Sequence, residues 1–358
     1  MAAQASPLTR YLCAAYSLLV IYGSLHPFSG WADRGAAPFA FLSAHWPRYV
    51  TAFDLAANVL AYAPLGLLAA LALYPLARGA LAVVLAALAG ILLSVAMETL
   101  QTYLPARIPS NLDVLSNGAG ALAGALAGAL MAPRLLHESP LLALRQRWFV
   151  GGRRTDLGLT LLGLWLFTQL DPETLLFGVG DLRNLFQESP SLLYPADMFI
   201  RIEAAVAACN LVAAALFAAA LAMPGRPVRA LLATLLALAL LVRAIAFGVL
   251  FNPASALAWL TPGALIGIAL GLVVAMIAVA LPRAFKLALA GMALMAATAL
   301  VNLAPANPYL AQSLQVWPQG NFLNFNGLTH LVSSLWPFAA LAYLLLAAAN
   351  RPESGASS

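Results

Sequence analysis

Long apolar runs broken by short polar stretches recur along the whole chain. At about 20 residues per bilayer crossing, they predict ten spanning helices. These lie roughly at 10–26, 54–76, 79–103, 112–132, 156–171, 199–222, 228–250, 262–281, 284–302 and 328–349. The fifth run is the shortest. The fold class that follows is all-α, a polytopic membrane helical bundle. Composition agrees: of 358 residues, 63% are hydrophobic and only 9% charged, with a mean hydropathy of +0.89. A soluble domain carries roughly 25% charged residues, so this chain belongs in a bilayer. The first apolar run is not followed by a small-x-small cleavage site, which favours an uncleaved first helix.

Arginine and lysine orient the bundle. With the N-terminus in the cytoplasm and ten crossings, both termini are inside. The cytoplasmic segments then hold Arg10, Arg78, Arg134, Arg145, Arg147, Arg153, Arg154, Arg226, Arg229, Arg283, Lys286 and Arg351, which are 12 of the 18 basic residues. Acidic residues mostly fall on the other side. The net charge of +5 is spread over short loops and gives no nucleic-acid surface. Cys13 and Cys209 lie in apolar segments and read as small core residues. The long outer loops, about 26–53, 171–198 and 303–327, carry Trp31, Trp46 and Trp317, with Phe322 and Phe325 among Asn321, Asn324 and Asn326. They read as interfacial anchors or as a sugar-contacting surface.

The pattern divides the chain into a four-helix membrane unit (1–132), a basic cytoplasmic loop (133–155), a second four-helix unit (156–281), two C-terminal helices (282–350) and a cytoplasmic tail (351–358). The segment ending His26-Pro27 is similar in character to the one ending Asp171-Pro172, an offset of 145. Gly120, Gly124 and Gly128 match Gly263, Gly267 and Gly271 at an offset of 143. These matches point to a parallel internal repeat of four helices. The glycines, four residues apart, predict close helix packing. An offset of 145 also sets Glu98 opposite Arg243, whose burial would be costly unless paired, so Arg243 is a candidate ion-pair partner for Glu98.

Polar residues collect toward one end of helices 2, 3 and 4. Asp54 and Asn58 are four apart, as are Asp113 and Asn117; Glu98 and Gln101 are three apart, and Arg107 stands between. These spacings put each pair on one helix face. Glu98 lies inside a span, where carboxylates are functional candidates by default. It is the candidate catalytic residue, as acid or base. The other readings are structural. Asp113 fits a capping box opened by Ser110. Asp54 sits in a first helical turn, where the dipole favours it, and Arg107 could be a loop residue. Pro64 is expected to kink helix 2 near Leu60. His26, His45, His137 and His330 lack metal-ligand spacing. The chain shows no phosphate loop, nucleophile elbow or aspartate-rich pair, and no cofactor is expected.

With Asp54-x3-Asn58, Pro64-x-Gly66, Glu98-x2-Gln101, Arg107, Asp113, Asn117, Gly120 and Gly124, residues 50–130 resemble the VanZ-like family, named for a protein linked to teicoplanin resistance. The resemblance implies a multi-spanning bacterial membrane protein with an envelope role. In the second half Arg243 replaces Glu98, and Asp113 and Asn117 have no clear counterparts. The leading expectation is an inner-membrane protein that binds an amphiphile, a membrane lipid or lipid-linked glycan, through Asp54, Asn58, Glu98, Gln101, Arg107, Asp113 and Asn117. An enzyme acting on such a molecule, a transporter and a structural partner in an envelope-polymer assembly are the alternatives.

Overall fold

The computed structural model describes residues 7–33, 35–47, 50–138, 140–183, 196–251, 253–303 and 323–349. Trp317, Phe322, Asn321 and the tail at 351–358 lie outside these residues, as do the side chains of Asn324, Phe325 and Asn326. All ten apolar runs become helices, and an eleventh is added. They are α1 (Pro7–Leu25), α2 (Ala52–Leu73), α3 (Gly79–Gln101), α4 (Asn111–Pro133), α5 (Pro140–Trp148), α6 (Arg153–Thr168), α7 (Ala196–Leu221), α8 (Val228–Leu250), α9 (Pro262–Ala278), α10 (Arg283–Leu303) and α11 (Leu323–Ala349). Eight are long and apolar enough to cross a bilayer. The exceptions among the ten are α9, apolar but with 17 residues, and α6, with 16 residues and Arg153, Arg154 and Asp156 near its start.

The stretch expected to be a basic loop is partly ordered. Arg134–Glu138 forms a π-helical turn and α5 follows it. Arg145 on α5 pairs with Asp156 on α6. The local charges thus satisfy one another, a feature that hydropathy cannot reveal.

The chain divides into two compact units, Met1–Arg147 with Gly151–Thr160, and Trp148–Val150 with Leu161–Ser358. In the N-terminal unit the largest helix interface joins α2 to α4. A Cβ on Gly120 would strike the backbone of Val59, one on Gly124 that of Ala63, and one on Gly128 that of Leu67; from α2, Gly66 meets Ala121 in the same way. The two backbones are therefore in contact, and any larger residue would push them apart. Lipid tails are as apolar as leucine, so close van der Waals contact is what holds such helices together. Buried Ala70, Ala86, Ala87 and Ala125 continue this small-residue packing. Large side chains such as Leu81, Val84, Leu88, Leu122 and Leu126 stay exposed, as expected of surfaces that face lipid. Pro64 lies inside α2, and the Tyr16 hydroxyl donates to the Ala61 carbonyl nearby (2.9 Å).

In the C-terminal unit α7 is central. Val206, Ala207 and all residues from Leu211 to Ala219 are buried. The glycines of α9 pack on α7: Gly263 against Glu203, Gly267 against Ala204 and Ala207, Gly271 against Ala208. These contacts set a register. Gly263, Gly267 and Gly271 meet Glu203, Ala207 and Leu211, each 60 residues earlier, much as Gly120, Gly124 and Gly128 meet Val59, Ala63 and Leu67, each 61 residues earlier.

The expected outer loop at 171–198 begins differently. Gln169, Asp171, Leu176, Phe177 and Val179 are all at most 2% exposed, so non-helical backbone is buried here. Such backbone needs internal partners, and it has them. Ser333 O accepts from Gly180 N (2.8 Å), Asn302 Nδ2 donates to Gly180 O (2.6 Å), and Ser334 Oγ donates to Asp181 O (2.7 Å). Asn302 Oδ1 accepts from Leu182 N (2.9 Å). Phe177 takes φ +59°, unusual for a bulky residue, and stacks on buried Trp165 at 5.7 Å.

Candidate functional site

The starts of α2 and α4 and the end of α3 carry the polar residues of the N-terminal unit. Thr51 and Asp54 close a full capping box on α2. Thr51 Oγ1 accepts from Asp54 N (3.1 Å), and Asp54 Oδ2 accepts from Thr51 N (3.2 Å) and from the Thr51 hydroxyl (2.7 Å). The cap on α4 is built differently. Ser110 Oγ accepts from Leu112 N (3.1 Å) and Asp113 N (3.4 Å), but Ser110 N donates to Glu98 Oε2 (2.8 Å). Glu98 arrives from α3 and does what Asp113 would do in a capping box. The Asp113 carboxylate is thereby left to face Asn58, within hydrogen-bonding reach of its side chain.

Deeper in, the spacing of four continues. Tyr62 follows Asn58 on α2, and Ser94 precedes Glu98 on α3. Asn117 Nδ2 donates to Ser94 Oγ (2.9 Å). Tyr62 lies within hydrogen-bonding reach of Ser94 and Ser24 and near Glu98 and Asp113. Asn117 Oδ1 is buried without a hydrogen-bond partner. Exposure falls stepwise along one face of α2: Asp54 is exposed, Asn58 half-buried and Tyr62 buried. Polar side chains of three helices thus form one cluster, termed the polar well, that extends about 12 Å along α2 from Asp54 to Tyr62, at 1.5 Å per residue over eight residues. Buried Leu65 and Ala121, packed on Tyr62, close it below.

Arg107 turns toward α1. Its Nη2 donates to His26 O (2.7 Å) and Gly23 O (3.4 Å), and its Nε to His26 O (3.1 Å). Gln101 Nε2 donates to Ser24 O (3.0 Å). The last carbonyls of a helix have no intrahelical donor, and these two side chains supply donors at the end of α1. Burial lowers the Arg107 pKa and Glu98 opposes the shift; the guanidinium stays charged in any case. Burial, with Arg107 adding to it, holds the His26 imidazole below its usual value.

Of the expected residues, the structure gathers Asn58, Glu98, Arg107, Asp113 and Asn117 around the well. Asp54 caps α2 at its mouth, and Gln101 serves α1. The sequence reading missed Tyr62 and Ser94, although the i, i+4 pattern ran through both, and it named Ser110 as the cap of α4, as found.

Residues 8–132 match the family model described as VanZ/LLP1. The N-terminal unit is VanZ-like. The match contains every residue of the well, while Arg243 and α7 to α11 lie beyond it. No curated protein matches the chain, and no solved structure does.

Arg243, the candidate partner of Glu98, has contacts of its own. Glu98 is engaged within the VanZ-like unit, and Arg243 finds its partners in the C-terminal one. It is 2% exposed, donates to the carbonyls of Asp171 and Thr174, and lies over the Phe247 ring (5.1 Å). Asp171 and Glu203 supply opposite charge. Glu203 Oε1 in turn accepts from the hydroxyl of Thr261 (2.7 Å), which caps α9, and His330 Nδ1 stands 3.7 Å from Asp171 Oδ2. An arginine in the middle of an apolar helix is thus buried against carbonyls and carboxylates of its own unit, as a membrane protein requires. Among the described residues no group of three or more His, Cys, Asp or Glu is placed to hold a metal ion.

Proposed function

We propose that this membrane protein binds the head group of an amphiphile, a membrane lipid or a lipid-linked glycan, in the polar well of its VanZ-like unit. The observation that carries this reading is the buried, unpartnered Oδ1 of Asn117 at the floor of the well. Buried polar groups left unpaired are costly, and a ligand that reaches them would recover that cost. The closure beneath the well favours binding over passage. The apolar faces of α2, α3 and α4 would hold the tail, since large aliphatic side chains such as Leu60, Leu92 and Leu115 are exposed beside the polar ends.

The excess of arginine on the inside segments supports a cytoplasmic membrane with both termini in the cytoplasm, so that the well opens to the outer leaflet. Consistent with this, Arg10 reaches the far end of α2 at Ala72 O (3.5 Å). Native mass spectrometry with lipidomics on wild type and Asp113→Asn tests the proposal. We expect wild type to retain one amphiphile class well above its share of the source membrane, and Asp113→Asn to lose that enrichment. Identical lipid profiles in both would remove the reading and leave the polar residues as a structural cap.

A further inference from the structure

We infer that the head group taken by the well is a primary ammonium. The inference rests on the amphiphile-binding reading and adds the chemistry. Two carboxylates, Glu98 and Asp113, stand close enough to interact. Among the described residues the cation beside them is Arg107, which donates to the carbonyls of Gly23 and His26. A phosphate would meet the repulsion of two carboxylates. The well is rich in acceptors instead. Asn117 (5% exposed) has an unpartnered Oδ1, and buried Tyr62 (3% exposed) stands near Glu98 and Asp113. An ammonium brings a compact positive charge and three N–H donors, which is what two carboxylates and an amide oxygen lack.

The test uses chain-matched lipids with the full-length protein in nanodiscs, read by native mass spectrometry. Phosphatidylethanolamine, its N-methyl and N,N-dimethyl derivatives and phosphatidylcholine keep the charge and remove N–H donors one at a time. Phosphatidylglycerol tests an anionic head group, and lysyl-phosphatidylglycerol tests an ammonium from a second source. Occupancy should fall stepwise along the methyl series, by about tenfold or more overall given the strength of charged hydrogen bonds. Tyr62→Phe and Asp113→Asn should flatten that slope. A preference for lysyl-phosphatidylglycerol over phosphatidylethanolamine would support the ammonium and assign it to an aminoacylated lipid. Equal binding across the methyl series, or a preference for phosphatidylglycerol, overturns the ammonium while leaving amphiphile binding intact. Retention of no lipid at all overturns both.

Discussion

Each unit places an arginine on the carbonyl that follows its first helix, but the arginine comes from a different part of the chain. In the VanZ-like unit Arg107 reaches His26 O from the loop before α4. In the C-terminal unit Arg243 reaches Asp171 O from the middle of α8; Asp171 is 145 residues after His26. A loop arginine leaves the helix interiors of the VanZ-like unit to neutral and acidic side chains, whereas a mid-helix arginine places a positive charge inside the C-terminal unit, next to Asp171 and Glu203. Buried polar atoms without partners remain in both units, Asn117 Oδ1 in one and Arg243 Nε and Asn210 Oδ1 in the other. The difference lies in where each unit draws its cation from.

The largest test of this contrast is removal of each arginine. Arg243→Ala strands the charges of Asp171 and Glu203 in a buried site and should cost about 3–5 kcal/mol. Arg107→Ala exposes carbonyls near a surface and should cost about 1–3 kcal/mol. Thermal melts of both variants in one detergent give the order; equal losses would break the contrast. A smaller effect comes from the helix caps. Ser110→Ala should lose about 1 kcal/mol, and Thr261→Ala more, because Glu203 also loses a donor; unfolding midpoints of the pair decide it.

The smallest effect is one of pH. The folded His26 binds fewer protons than the unfolded histidine between its depressed pKa and the reference 6.5. Its contribution is therefore full above 6.5 and is lost as pH falls through the folded value. His26→Gln should flatten the loss of stability between about pH 7 and about pH 5, measured as the shift in melting temperature. An unchanged slope would remove His26 from the balance around Arg107.

Helices were legible because twenty apolar residues leave little choice in a membrane. The polar cluster was legible because Asp54, Asn58, Asp113 and Asn117 repeat a helical spacing. The roles inside it were less so. Nothing local marks Glu98 as the residue that completes another helix's cap, since that depends on how α3 meets α4. The Glu98–Arg243 pairing rested on an offset of 145 along the sequence, and an offset does not say which side chains meet. The buried stretch after α6 was read as a loop because Asp171, Pro172 and Glu173 are loop-like residues. The apolar Leu175, Leu176, Phe177 and Val179 that follow them were the missed signal.

The backbone contact between α2 and α4 has one more consequence. Gly66, Gly120, Gly124 and Gly128 bring these helices into backbone contact, which leaves them little room to slide. The walls carrying Asn58 and Asp113 are therefore held in place. On the proposed reading, a head group would forfeit little conformational entropy of the protein, and selectivity would fall to the geometry and chemistry of the head group itself.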